Sequence, residues 1–248
     1  MSYLCPAHVF SDNSGRELSC FCPAIDLMSM FVCLVFVGLG WVDTAQNQLL
    51  KANYYSKVTL IDDCVGSIVQ TLKDRNLLDN TWIVFSSDHG EMLGDHGLLA
   101  KKVFYEGAIN VPCLFRPPNG EGQGGTDALV NHLDIVATLI DISGAAALRD
   151  SPSQSIAPLL RGESATSHRQ AVLSELGLPP SAFVMVRTNE HKLSADAKTR
   201  EPIELYDMAE DPAELHNLIE REDYAEIRQH LLNDVMNPML SRLDTTAW

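Results

Sequence analysis

Thr81-Trp82-Ile83-Val84-Phe85-Ser86-Ser87-Asp88-His89-Gly90-Glu91-Met92-Leu93-Gly94-Asp95-His96-Gly97-Leu98-Leu99-Ala100-Lys101-Lys102-Val103-Phe104-Tyr105-Glu106 is the stretch that decides how this chain folds. Its opening, Thr81 to Ser86, is a short run of β-branched and aromatic residues, which predicts a buried strand. From Asp88 onward the character changes: two Asp, two His, two Glu and two Lys are punctuated by three Gly. In an open α/β sheet, ligands bind just past the carboxyl ends of strands, and Asp88 and His89 fall at that point. A carboxylate beside an imidazole suits a cation, and the ammonium groups of Lys101 and Lys102 suit an anion. A plain strand-to-loop turn with solvated charges uses the same residue types, and an isolated Asp-His-Gly does not separate the two.

The wider pattern separates them. Ser-Asp-His-Gly-Glu, then Leu-Gly-Asp-His-Gly-Leu, a Lys, Tyr-Glu-Gly and Val111-Pro112 resembles the second signature region of the sulfatase family, within the alkaline-phosphatase-like superfamily. Tyr54-Tyr55-Ser56-Lys57-Val58 through Leu60-Ile61-Asp62-Asp63-Cys64-Val65-Gly66 resembles the helix before that family's metal-site strand. Val130-Asn131-His132-Leu133-Asp134-Ile135-Val136-Ala137-Thr138-Leu139 resembles its histidine, aspartate and threonine-leucine helix. Ala157-Pro158-Leu159-Leu160-Arg161-Gly162, Glu204-Leu205-Tyr206-Asp207, Asp211-Pro212-Ala213-Glu214 and Asn217-Leu218 follow in the family's order. The resemblance spans residues 50 to 235. It implies an α/β fold: an alkaline-phosphatase-like mixed sheet flanked by helices, then a small C-terminal antiparallel sheet and a closing helix, the whole incomplete.

The resemblance also implies chemistry. A sulfatase converts a Cys or Ser in a Cys/Ser-x-Pro-x-Arg motif to formylglycine, whose hydrate attacks sulfur. A divalent metal, usually calcium held by oxygen ligands, polarises the sulfate. By position, Asp88 and His89 match the downstream metal ligands, and Lys101 matches the lysine that contacts sulfate. Lys102 is then an exposed neighbour, and His96 either contacts substrate or braces the Gly-rich turn. An imidazole also fits manganese or zinc. The implied substrate is a small-molecule or saccharide sulfate ester. The upstream half of the site is absent: Cys5-Pro6-Ala7-His8 and Cys22-Pro23-Ala24-Ile25 place proline wrongly and lack arginine. Formylglycine is therefore not encodable in these residues, and the expected chain is an inactive or truncated sulfatase. Two alternatives stand beside it: a phosphoester or phosphonate hydrolase of the same superfamily, and a non-catalytic protein that keeps the fold for binding.

Bulk properties narrow the partners. At 248 residues the chain can bury a sizeable core. Its net charge of −15 argues against nucleic acid, so an anionic substrate needs a local positive site. Residues 1–42 match no element of the fold and are set apart from a sulfatase-like portion, 43–248. Within them, Met28 to Gly40 is an apolar run shorter than the ~20 residues a membrane helix needs. It is open to reading as a targeting segment, a buried element or a stretch foreign to the fold; no membrane association is expected. Four cysteines crowd into this opening, while Cys64 and Cys113 fall in predicted core elements as buried thiols. Compartment and oligomeric state are not encoded in any motif.

Outward from the central stretch, Ala52 to Leu78 predicts a helix. Val58, Ile61, Val65, Ile68, Val69 and Leu72 form an apolar face that should pack on the sheet. Asp62 and Asp63 point about 100° apart on that helix and do not converge on one ion. Val111 to Phe115 predicts a second strand, Leu133 to Ser143 a short helix, and Asn119 to Thr126 a glycine-rich surface loop. His132 either faces the site or caps and fills space. Ala182–Arg187 and Ile203–Tyr206 are expected to pair across a polar turn, and Asp223–Val235 closes the chain as a helix.

Overall fold

The computed structural model describes residues 7–9, 44–120, 124–149, 151–162, 168–178 and 181–242. The rest of the 1–42 segment, with its four cysteines, lies outside the described residues. A short strand β1 (Ala7–Val9) precedes the long helix α1 (Thr44–Asp74). After it come β2 (Ile83–Ser86), the short helix α2 (Glu106–Ile109), β3 (Cys113–Arg116) and β4 (Gly124–Thr126). These strands form one mixed sheet in the order β2-β3-β1-β4. β2 runs antiparallel to β3, with Phe85 opposite Leu114, while β3 is parallel to β1. Cys113 and Phe115 are buried and alternate with half-buried Leu114 and Arg116, the period-two signature of a strand. Arg116 Nη1 donates to the Leu78 carbonyl at 3.1 Å, which fixes the turn that feeds β2.

The helices α3 (His132–Ile142) and α4 (Ala157–Leu160) lead to a second sheet. Its strands β5 (Ala171–Leu178), β6 (Ser181–Thr188), β7 (His191–Asp196) and β8 (Pro202–Asp207) are antiparallel and adjacent in chain order. The sheet separates two cores. Val172 and Met185 join Met92, Phe104, Ile109 and Phe115 beneath the central stretch. Val184, Val186, Leu193 and Leu205 face the closing helix through Leu231, Met236 and Leu240. That helix runs as α5 (Ala225–His230), a π-helical stretch Leu231–Met236, and α6 (Asn237–Ser241). Pro238, which has no amide to donate, sits where the ladder returns to normal pitch.

Three expectations need correction. β6 and β8 do not pair; the segment read as a polar turn is β7, which lies between them. Its Lys192 points inward because buried Glu214 and half-buried Glu106, distant in sequence, receive it. The face of α1 expected on the sheet is not buried: Val58 at 47%, Ile61 at 51% and Ile68 at 60% are exposed, and Val65, Val69 and Leu72 are half-buried. A helix stripe is buried only where a second layer meets it, and no described element covers this one. Cys64, on the same helix, is exposed for the same reason, whereas Cys113 is buried as expected. The apolar side of α3 (Leu133, Val136 and Leu139) is likewise exposed, and the buried side carries Asp134 and Thr138.

Asp134 explains that inversion. Asn131 and Asp134 form a capping box at the start of α3. The Asp134 carboxylate then accepts from Arg169 Nε at 2.7 Å and from the Gln154 amide at 2.8 Å, with His168 Nε2 at 3.4 Å. Burial pushes this carboxyl up, but His168 and Arg169 outweigh it and hold it below the usual carboxylate value. A depressed carboxylate stabilises the fold above its unfolded value of about 3.9 and loses that contribution as pH falls through the folded value. Asp134→Asn leaves the Arg169 guanidinium without its counter-charge and should cost about 3–5 kcal/mol near neutral pH. In urea unfolding, the gap between variant and wild type should narrow below about pH 4, because only the wild type has that proton to take up. A gap constant with pH would contradict this account.

Candidate active site

β2 ends at Ser86, and the next residues turn sharply under local hydrogen bonds. Ser87 Oγ donates to the His89 carbonyl at 2.8 Å, and the Ser87 carbonyl accepts from His132 Nε2 at 2.7 Å. His132 is thus a brace between α3 and the end of β2. Asp88 is exposed; its Oδ1 accepts the His89 amide at 3.0 Å, and its Oδ2 lies 3.3 Å from His89 Nε2. His89 Nδ1 lies 2.8 Å from the Gly90 carbonyl. A carbonyl can only accept, so Nδ1 carries the proton and Nε2 presents its lone pair. The Lys101 ammonium bonds to that Nε2. Asp88, His89 and Lys101 therefore converge at one point past the strand end.

Lys101 reaches back twelve residues because of the turn between them. Gly94 and Gly97 hold φ values of 94° and 69°, in the left-handed region that glycine tolerates. Met92 donates to Ala100 at 2.9 Å and Gly94 to Leu98 at 2.8 Å, closing a narrow loop. Glu91 fastens it from inside: its carboxylate accepts the Ala100 amide, directly before Lys101, and the Leu93 amide at 3.4 Å. The sequence offered no role for Glu91; its signal was a carboxylate at the start of a glycine-rich turn full of amide donors. From outside, Asn47 and Lys51 of α1 lie against the turn, with Lys51 paired to Asp95 at 3.7 Å.

His96, at the apex, has a φ of 53° and stacks on Tyr105 with ring centroids 4.0 Å apart and planes 8° from parallel. Its contact is thus with Tyr105, on the outer side of the turn. Lys102 is exposed. Among the described residues, no three His, Cys, Asp or Glu side chains gather closely enough to hold a metal ion. Asp88 and His89 nevertheless fit a cation as a pair: a charged oxygen donor and an oriented imidazole nitrogen, short of the six to eight oxygens calcium takes.

The whole loop is anchored by two glycines. Gly90 donates to Ala108 at 2.8 Å, and a Cβ on Gly90 would lie 2.1 Å from the Gly107 carbonyl oxygen. The backbones of the site turn and α2 touch directly.

Comparisons with known proteins identify the family and the fold. The family described as Sulfatase matches residues 28–145, and that described as N-sulphoglucosamine sulphohydrolase, C-terminal, matches residues 94–240. The choline-sulfatase of Rhizobium meliloti is 34% identical over 170 residues, 67% of this chain and 32% of that protein. The structure of BT4656 with its substrate D-glucosamine-2-N,6-O-disulfate superposes with a TM-score of 0.71 at 25% identity, covering 82% of this chain and 42% of that one. The phosphonate monoester hydrolase of Agrobacterium radiobacter gives a TM-score of 0.71 at 28% identity, covering 80% and 42%. The chain spans well under half the length of these relatives. The alkaline-phosphatase-like mixed architecture, with its small antiparallel sheet and closing helix, is shared with them.

The glycine anchor yields a paired prediction. Gly90→Ala forces backbone apart and should lower unfolding stability by about 1–3 kcal/mol. Gly66→Ala, mid-helix in α1 with nothing near its Cβ position, should raise stability by about 0.5–1 kcal/mol. Denaturant unfolding of both measures the contrast, and equal effects would contradict the backbone contact.

Proposed function

The chain belongs to the sulfatase family, and on that premise we propose that it supplies the downstream half of a sulfatase site. Asp88 and His89 act as ligands of a divalent cation and Lys101 contacts the sulfate group, while His96, stacked on Tyr105, braces the turn that carries Lys101. The observation that carries the reading is the approach of Lys101 Nζ to His89 Nε2 beside the exposed Asp88 carboxylate. A cation ligand and an anion contact at one strand end are what sulfate-ester hydrolysis asks of this segment. When bound, the cation supplies Lewis-acid polarisation of a sulfate oxygen.

Each residue has a separable task. The Asp88 carboxylate brings the charge that a hard cation such as calcium prefers. His89 offers an Nε2 lone pair already oriented by the Gly90 carbonyl. Lys101 shares that lone pair, so its ammonium would have to leave Nε2 for a cation to be held there and would then be available to an incoming anion. The chain alone does not turn over substrate, because none of its residues sits in a Cys/Ser-x-Pro-x-Arg frame to become formylglycine. The substrate class is a saccharide sulfate, a reading favoured by the likeness to BT4656. The likeness to the phosphonate monoester hydrolase supports a second reading, in which the same cation and lysine serve a phosphonate ester. The missing nucleophile also leaves room for a third, a binding protein that retains the fold.

Calorimetric titration separates the roles. Asp88→Ala should abolish measurable calcium binding. Lys101→Ala should leave calcium affinity unchanged or higher, since it removes a nearby positive charge, and should weaken sulfate binding about tenfold, the order of one charge-assisted contact. Arylsulfate and phosphonate-ester hydrolysis should both be absent in the wild-type chain. Robust metal-dependent turnover would overturn the half-site reading, and calcium binding that survives Asp88→Ala would overturn the ligand assignment.

A further inference from the structure

Below the turn that carries Lys101 lies a buried group of charges that the proposed chemistry does not use. Lys192 of β7 is buried, and its ammonium donates to the Phe104 carbonyl at 3.0 Å and to Glu214 Oε1 at 2.6 Å. It also lies 2.6 Å from Glu106 Oε1. Glu214, buried as well, accepts the Glu106 amide on Oε2 at 2.7 Å. Arg187 of β6 stands 3.8 Å from the Glu106 carboxylate, so two cations meet two carboxylates. Glu214 holds a φ of 57°, a left-handed conformation that a non-glycine residue keeps only where its surroundings impose it.

These contacts grip the chain on both sides of one residue. Lys192 holds the carbonyl before Tyr105, and Glu214 holds the amide after it. The Tyr105 hydroxyl donates to Glu204 Oε1 at 3.1 Å, and Ser194 Oγ donates to Glu204 Oε2 at 3.2 Å. Burial pushes the Tyr105 hydroxyl up, so it stays protonated and able to donate. Backbone and side chain of Tyr105 are thus both fixed by the second sheet and by Glu214 in the segment that follows it, and Tyr105 is the face against which His96 stacks. His96 sits in the turn whose far end is Ala100-Lys101.

We infer that Lys192 and Glu214 are positioning residues for the candidate site, holding Tyr105 as a fixed platform that sets the His96 turn and, through it, Lys101. The inference rests on the proposed role of Lys101 for its functional meaning but not for its geometry. A purely structural ion pair would change unfolding stability and leave the folded turn in place. A positioning pair moves the turn while the protein remains folded.

Proton NMR of the full chain distinguishes these. Stacked on Tyr105, the His96 ring protons lie in the aromatic ring current and resonate upfield. His96→Asn assigns the signal by its loss, and Tyr105→Leu gives its unstacked position. Glu214→Gln and Lys192→Met should each carry the His96 signal most of the way to that unstacked position, and each should reduce sulfate affinity several-fold with calcium affinity unchanged. Glu204→Ala removes the half-buried carboxylate to which the Tyr105 hydroxyl and Ser194 donate, leaves the Tyr206 hydroxyl 3.4 Å from that of Tyr105, and should shift the signal part of the way; it decides the matter if the buried variants do not fold. A His96 signal that stays at its wild-type position in the folded variants overturns the inference, whatever sulfate does. A shifted signal in a protein whose wild type binds no sulfate upholds the positioning and refutes the anion role of Lys101 instead.

Discussion

The candidate site depends on a backbone contact at Gly90, which packs so tightly against Gly107 that no side chain fits between them. That contact, with the Gly90 to Ala108 hydrogen bond, makes the end of β2 and the start of α2 one rigid unit. Everything between residues 90 and 107 is then a loop with both ends fixed at the same place. The loop has no freedom to drift, and its internal closures at Glu91, Met92 and Gly94 decide where Lys101 arrives. The glycines in Asp-His-Gly and in Tyr-Glu-Gly serve one purpose between them.

Around this unit the two sheets have different tasks. The mixed sheet delivers Asp88 and His89 at a strand end, with His132 bracing the carbonyl beside them. The antiparallel sheet, through Lys192 and Glu204, and the segment after β8, through Glu214, hold Phe104–Glu106. Burial pushes the Glu214 carboxyl up and Lys192 only partly offsets it, while burial pushes Arg187 down. A network so costly to desolvate contributes specificity of position more than stability. The apolar stripes of α1 and α3 are largely exposed, on helices that meet the site through Asn47, Lys51 and His132.

What was legible in the residues was mainly local. β2, β3 and α3 follow from periodicity and turn chemistry within two residues of where they lie, α1 begins eight residues earlier than its apolar pattern suggests, and the strand-end position of Asp88 follows from β2. The return of Lys101 to His89 was also readable, because the glycines that allow it lie between the two. β7 was not legible: His191-Lys192-Leu193-Ser194 looks polar, and Lys192 is at home in a core only because Glu106 and Glu214, 86 and 22 residues away, neutralise it. The inward side of α3 was hidden for the same reason, since Asp134 is buried by Arg169, 35 residues on. Hydropathy marks the apolar faces of both helices correctly as apolar. It does not say whether a second layer meets them.

The central claim is that cation and anion contacts share one point, with Lys101 and a cation competing for the lone pair of His89. The most direct test is the affinity of the full chain for sulfate, measured by calorimetry with and without saturating calcium. If calcium frees Lys101 from His89 and adds positive charge, sulfate should bind at least fivefold more tightly in its presence, a coupling of about 1 kcal/mol, and calcium should gain the same factor from sulfate. Sulfate affinity indifferent to calcium, with both ligands bound, would show that the two contacts are separate and that the shared site does not exist.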